Sequence, residues 1–289
     1  MWDLFVAPFV EFSFMQRALL GCVLIAIGST PVGIFLMLRR MSLTGDAMAH
    51  GILPGAAIGY LISGLSLGAM TIGGLIAGVA VAAVSGLISR VTTLREDTSL
   101  AAFYLISLAF GVLIVSTRGS NIDLMNVLFG TILALDNAAL ILLCSITSLS
   151  TLVLAIFYRP LVLECVDPQF LRSVSNFSAV THFVFLVLVV LNLVAGFHAL
   201  GTLMAVGIMI LPGAAARFWV QKIGWVIGLG IVMATASGYL GLLLSYHFSF
   251  PSGPTIILVA GLCYVASVLF GRLDGVLTRW IPLTNQTKV

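Results

Sequence analysis

Charge is what this sequence has least of. Charged residues make up 8% of its 289 positions while 61% are apolar, against about 25% charged in an ordinary soluble domain. A soluble fold has too little interior to hide that much apolar surface. The apolar residues fall in blocks of about 20, the length at which a helix crosses a hydrocarbon core of ~30 Å, and the few charges collect between the blocks. A transmembrane β-barrel is excluded by the same pattern. Its strands are about ten residues long and alternate in polarity, whereas these blocks are continuously apolar and rich in Gly, Ala and Leu.

Other absences narrow the reading further. No basic leader precedes the first block, which follows Asp3 and Glu11 and runs too long for a signal peptide, so it is expected to stay in the mature chain. The 4 cysteines show no CxxC or CxxxC spacing: Cys22, Cys144 and Cys263 stand singly in apolar spans and Cys165 in a predicted loop, as small packing residues rather than thiolate metal ligands. No HExxH motif is present, which argues against an intramembrane metallohydrolase. A net charge of +3 gives no nucleic-acid signal. The longest internal loops are about 20 residues, so a nucleotide-binding or ligand-capturing domain has to come from another chain.

What is present reads as an all-α, polytopic transmembrane bundle forming one domain over 1–289. The predicted spans are 13–38, 47–64, 67–89, 98–117, 137–158, 179–197, 200–217, 223–246 and 253–271. These make nine, with eight or ten also open because Gly119 to Asp136 carries a short apolar stretch flanked by Asp123 and Asp136. Of 13 basic residues, only Arg17 and Arg118 lie off the side shared by Arg39, Arg40, Arg90, Arg95, Arg159, Arg172, Arg217, Lys222, Arg272, Arg279 and Lys288. The positive-inside rule makes that side cytoplasmic, with the N-terminus outside and the C-terminus inside.

The hexapeptide ILPGAA occurs twice, at Ile52 to Ala57 and at Ile210 to Ala215. A direct duplication would put both copies on helices running the same way, and an inverted one at mirrored depths; the predicted topology gives neither. The copies share physics instead, since Pro54 and Pro212 cannot donate to the carbonyl four residues back and their small neighbours allow close packing. What precedes them differs. Only apolar or small residues stand before the second copy, whereas Asp46 and His50 stand before the first.

Four residues apart on a helix, Asp46 and His50 are separated by about 40° around the axis and share a face. Pro54 continues that face and leaves the His50 carbonyl without its helical donor. Gly51, Gly55 and Gly59 form a second stripe suited to close helix packing. Asp46 can be an ordinary N-cap with His50 an interior histidine. Alternatively, ionisable groups in a membrane helix line a pathway, and imidazole with carboxylate is a ligand set for zinc and also serves manganese. Two copies of the chain meeting on an axis would supply a four-ligand site. His198, leaving the sixth span, and His247, in an outer loop, are candidates for assisting metal entry, and Asn192 is expected to bond across helices.

A second informative stretch, "RPLVLECVDPQFLRSVSNFS", lies between the fifth and sixth spans on the basic side. Asp167 followed by Pro168 reads as N-cap and first helical residue. The short helix near 167–175 would carry Phe170, Leu171 and Val174 on one side. That apolar patch suits either a partner's groove or the lipid interface.

Four stretches, "LRRMSLTGDAMAHGILPGAAIG", "ECVDPQFLRSV", "TLMAVGIMILPGAAARF" and "FPSGPTIIL", together resemble the permease subunit of bacterial ABC importers for zinc, manganese or iron. The resemblance covers about residues 13 to 271. It implies an inner-membrane homodimer in lipid, two cytoplasmic subunits that bind and hydrolyse ATP, and an extracytoplasmic metal-binding protein. It also implies that Asp46 and His50 contact the transported ion and that Asp167 to Val174 is the coupling helix. One departure is Thr131, where the family pattern leads one to expect Asp. The expected function is therefore import of a divalent metal, zinc first and manganese or iron(II) as the alternative, with no permanently bound cofactor and no bond chemistry of its own. A proton-coupled secondary transporter using the same Asp and His is the rival class.

Overall fold

The computed structural model describes residues 5–64, 66–93, 96–117, 132–166, 177–273 and 275–277. Its helices are α1 (Ala7–Glu11), α2 (Ser13–Leu38), α3 (Ser42–Ser63), α4 (Leu67–Val91), α5 (Glu96–Thr117), α6 (Asn137–Val166), α7 (Phe177–Leu200), α8 (Thr202–Arg217), α9 (Ile223–Phe248) and α10 (Ser252–Phe270), with a 3-10 turn at Ile132–Ala134. There is no strand among the described residues, as the continuous apolar blocks require. Each predicted span falls on one of α2 to α10. Six of them, α2, α4, α6, α7, α9 and α10, are long and apolar enough to cross a membrane on length and composition. The apolar parts of α5 and α8 are shorter, at Thr98–Ile114 and Ala205–Arg217, and α3 is diluted by Asp46, His50, Pro54 and its glycines. The chain is thus a multi-pass helical membrane protein.

Two boundaries differ from expectation for physical reasons. Helix α6 runs on to Val166, so Arg159, Glu164 and Cys165 are helical rather than in a loop. Pro160 removes one backbone donor, but membrane helices tolerate that where neighbours pack around the break, and the adjacent Leu161 is fully buried. Helix α3 begins at Ser42 instead of 47. The corner before it is a Schellman turn: the Met41 N–H bonds the Leu36 carbonyl at 2.9 Å and the Arg40 N–H bonds Met37 at 3.0 Å. Arg40 takes the left-handed position at φ 58° that glycine fills in most such turns.

Helices α2 and α7 are the most enclosed of the six long spans; α3, α4, α6, α8 and α9 pack against one or both, α5 lies on α3 and α4, and α10 on α8 and α9. Phe35, Met48, Ile52, Phe185, Val190 and Met209 join α2, α3, α7 and α8 in one core cluster. A second cluster, including Met15, Cys22, Leu143, Leu242 and Ile256, joins α2 to α6, α9 and α10. Between α7 and α6, Asn192 Nδ2 donates to Ser150 Oγ at 2.6 Å, the cross-helix bond expected of it.

The two ILPGAA copies have unlike surroundings. A Cβ on Gly55 would collide with the Gly73 carbonyl oxygen on α4, and one on Gly73 with the Gly55 carbonyl, so backbone lies against backbone. A Cβ on Gly59 would meet the Ala69 carbonyl, whereas Gly51 faces the Val81 side chain at ordinary contact distance. In the second copy Gly213 faces the Ile34 side chain on α2, and Pro212 lies inside α8. The same six residues serve different packings.

Candidate metal-binding site

The early start of α3 decides how Asp46 is held. The residue before the helix is Met41, which makes no side-chain capping bond, and Asp46 lies in the second turn, beyond reach of an N-cap role. Its carboxylate is 58% exposed in the single chain, while His50 is 25% exposed. Ala47, Met48 and Ala49 between them are buried. His50 Nε2 stands 3.8 Å from Asp46 Oδ1, too far for a hydrogen bond but a separation that one ion ~2.1 Å from each atom spans at an angle of roughly 130°. His50 Nδ1 is buried with no hydrogen-bond partner among the described residues.

Helix α5 supports this pair, which spacing along α3 alone could not reveal. The Tyr104 ring stacks on the His50 imidazole with centroids 6.1 Å apart. One turn on, Ser107 Oγ donates to the Gly51 carbonyl at 3.0 Å. Farther along, Gly111 faces Pro54, leaving no room for a larger side chain beside the proline. Tyr104, Ser107 and Gly111 therefore follow the face of α3 from the imidazole to the proline break.

The other candidates are not gathered there. His247, expected in a loop, is in the last turn of α9, exposed and edge-on to Tyr246 at 5.3 Å. His198 lies in α7. Asp136, exposed before α6, accepts at Oδ1 from the Ala139 N–H at 2.7 Å and caps that helix. His182, near the start of α7, bonds Arg39. Asp123, Thr131, Asp167, Pro168, Phe170, Leu171 and Val174 lie outside the described residues. No group of three or more His, Cys, Asp or Glu side chains converges as a metal cage among the described residues. Among the described residues Asp46 and His50 are two candidate ligands, fewer than a closed metal cage needs.

Residues 11–271 match the ABC 3 transport family. The chain is 31% identical to the manganese transport system membrane protein MntC of Halalkalibacterium halodurans over 277 residues, 96% of this chain and 94% of that one. It is 26% identical to the chelated iron transport system membrane protein YfeD of Yersinia pestis, over 99% of this chain and 95% of that one. Among solved structures, PsaBC from Streptococcus pneumoniae in complex with Fab superposes with a TM-score of 0.84 at 27% identity, covering 99% of this chain and 100% of that one. Fold, matched length and relatives agree: the chain belongs to the ABC 3 transport family, as a membrane permease subunit of an ATP-driven metal importer.

Proposed function

We propose that this permease passes manganese(II) from an extracytoplasmic binding protein to the cytoplasm, with iron(II) as the second substrate. The expectation of zinc gives way here, because relatives matched along nearly their whole length are named for manganese and for chelated iron. The donor set allows the change: the carboxylate suits manganese and the imidazole serves zinc and manganese alike, so one carboxylate with one imidazole does not single out zinc. The observation that carries the reading is the α3 face itself, an ionisable pair held inside a membrane helix with the carboxylate open and no other role among the described residues.

In the proposed assembly two copies bring their Asp46 and His50 side chains to one axis, and two ATPase subunits meet the basic side. The nine helices α2 to α10 each cross the inner membrane, with the N-terminus outside, in accord with the basic-residue asymmetry. Asp167 to Val174 docks in the ATPase through Phe170, Leu171 and Val174, while His198 and His247 face the outer side, where the ion enters. ATP is bound and hydrolysed on the partner; this chain contributes ligands, helix packing and movement. A weak, incomplete site fits a carrier, since a closed cage would hold its ion.

The test is Asp46→Asn, which keeps side-chain shape and removes the charge. In proteoliposomes containing permease, ATPase and binding protein, the variant is expected to assemble and lose at least about tenfold of manganese uptake, the effect of losing about 1.4 kcal/mol or more of ion stabilisation. Wild-type uptake by a fully assembled Asp46→Asn complex would refute the assignment.

A further inference from the structure

Three ionisable side chains meet inside the bundle at the corner between α2 and α3. Arg39, immediately after α2, donates from Nη2 to Glu164 Oε1 at 2.7 Å and to His182 Nδ1 at 2.7 Å. The side chains of Arg39 and Glu164 are only 9% and 7% exposed. The guanidinium also lies over the Phe185 ring, 4.8 Å from its centroid. A guanidinium only donates, so the short bond requires His182 Nδ1 to accept and fixes the Nε2–H tautomer.

Stability is a poor reason for such a cluster. Desolvating a buried ion pair offsets most or all of its attraction, and packed apolar residues of similar volume serve as well or better. What a planar guanidinium adds is direction, because two short bonds leaving Nη2 in the plane of one rigid group fix the relative positions of the groups that accept them. Here those groups sit at three helix ends. Glu164 is in the last turn of α6, His182 in the second turn of α7, and Arg39 terminates α2.

From Arg39 the chain passes through only Arg40 and Met41 before α3 begins. That turn is held by two backbone bonds and one left-handed residue, so it has little freedom to absorb a displacement. Asp46 follows in the second turn of α3. On the other side, Glu164 and His182 bracket in sequence the Asp167 to Val174 segment assigned above to the ATPase contact.

We infer that Arg39 is a positioning residue for the Asp46–His50 pair: by clasping Glu164 and His182 it ties the α2–α3 corner to the ends of α6 and α7, so that displacement of those ends reaches the pair. This rests on the proposed roles of Asp46, His50 and the Asp167 to Val174 segment. It adds that the mechanical connection runs through one arginine.

The test measures manganese uptake and ATP hydrolysis together in proteoliposomes holding the whole importer, for Arg39→Gln, Glu164→Gln, the double variant and Arg39→Lys. Each single glutamine variant is expected to lower the ions moved per ATP about five- to tenfold, with the double variant no worse than either, because both remove one link. Arg39→Lys, able to reach Glu164 as a point charge but not to fork, should recover part of the ratio. Uptake and hydrolysis falling in proportion would mean a merely structural role and overturn the inference, as would losses that multiply in the double variant. If Arg39→Gln does not assemble, Glu164→Gln and Arg39→Lys decide the matter by the same ratio. Asp46→Asn measured in parallel separates the two levels: normal uptake there sinks the metal-pair proposal, whereas a normal ratio in Arg39→Gln beside a dead Asp46→Asn sinks only the clasp.

Discussion

Gly55→Ala tests whether the contact between α3 and α4 is as intimate as the backbone geometry requires. Alanine in a helix interior is ordinarily better than glycine by about 0.8–1 kcal/mol, so propensity alone predicts a gain. At this position the added Cβ collides with the Gly73 carbonyl oxygen and also comes within 2.6 Å of the Ala77 Cβ. A backbone carbonyl has no rotamer to change, so the helices have to separate, and overpacking of this kind costs about 1–3 kcal/mol. The two effects together leave a net loss of roughly 0–2 kcal/mol. Gly228→Ala is the control, because a Cβ there meets nothing within 4 Å and only the propensity gain applies. Thermal unfolding of the detergent-purified chain, followed by loss of helical circular dichroism, should therefore move in opposite directions for the two variants, by a few degrees per kcal/mol. A Gly55→Ala midpoint at or above that of Gly228→Ala would refute the packing argument.

Asn192→Ala should lower stability by about 0.6 kcal/mol and at most ~1.7, the range for hydrogen bonds between membrane helices; an unchanged midpoint would mean that the 2.6 Å bond to Ser150 contributes nothing net. Cys165, in the last turn of α6, tests the orientation. With Cys22, Cys144 and Cys263 replaced by serine, an impermeant thiol reagent added outside intact cells should leave it unlabelled, and external labelling would reverse the proposed topology.

The parts of this molecule that were legible in its sequence are those governed by local periodicity. Apolar blocks located α2 to α10, because a membrane-spanning helix satisfies its own backbone and needs only a sufficient apolar length. The spacing of Asp46 and His50 placed both on one face for the same reason. Helix ends were less legible. The turn after α2 uses Arg40 where a glycine would have announced the stop, and without that signal the start of α3 was expected at 47 instead of Ser42. Glu164 falls in the stretch that the sequence places between the fifth and sixth spans, whereas packing around Leu161 carries α6 through to Val166. Its bond to Arg39 joins residues 125 positions apart, a distance at which no spacing rule operates. The support of His50 by Tyr104 and Ser107 likewise arises only when α5 is laid against α3.

The contact in which Gly55 and Gly73 exclude each other's side chains also constrains how the permease can move. Most helix pairs can shear by small rotamer changes in the side chains between them. Where two main chains touch directly that cushion is missing, and the pair resists relative sliding as a keyed joint does. Helices α3 and α4 should therefore swing together as one stiff lever, turning about the corner at Arg40. In such a motion the gap between Asp46 and His50 stays nearly constant while, in the proposed dimer, their distance from the second copy changes. If Asp46 and His50 hold the ion as proposed, it would then be released when two facing levers part, with the pair on each arm left intact for the next passage.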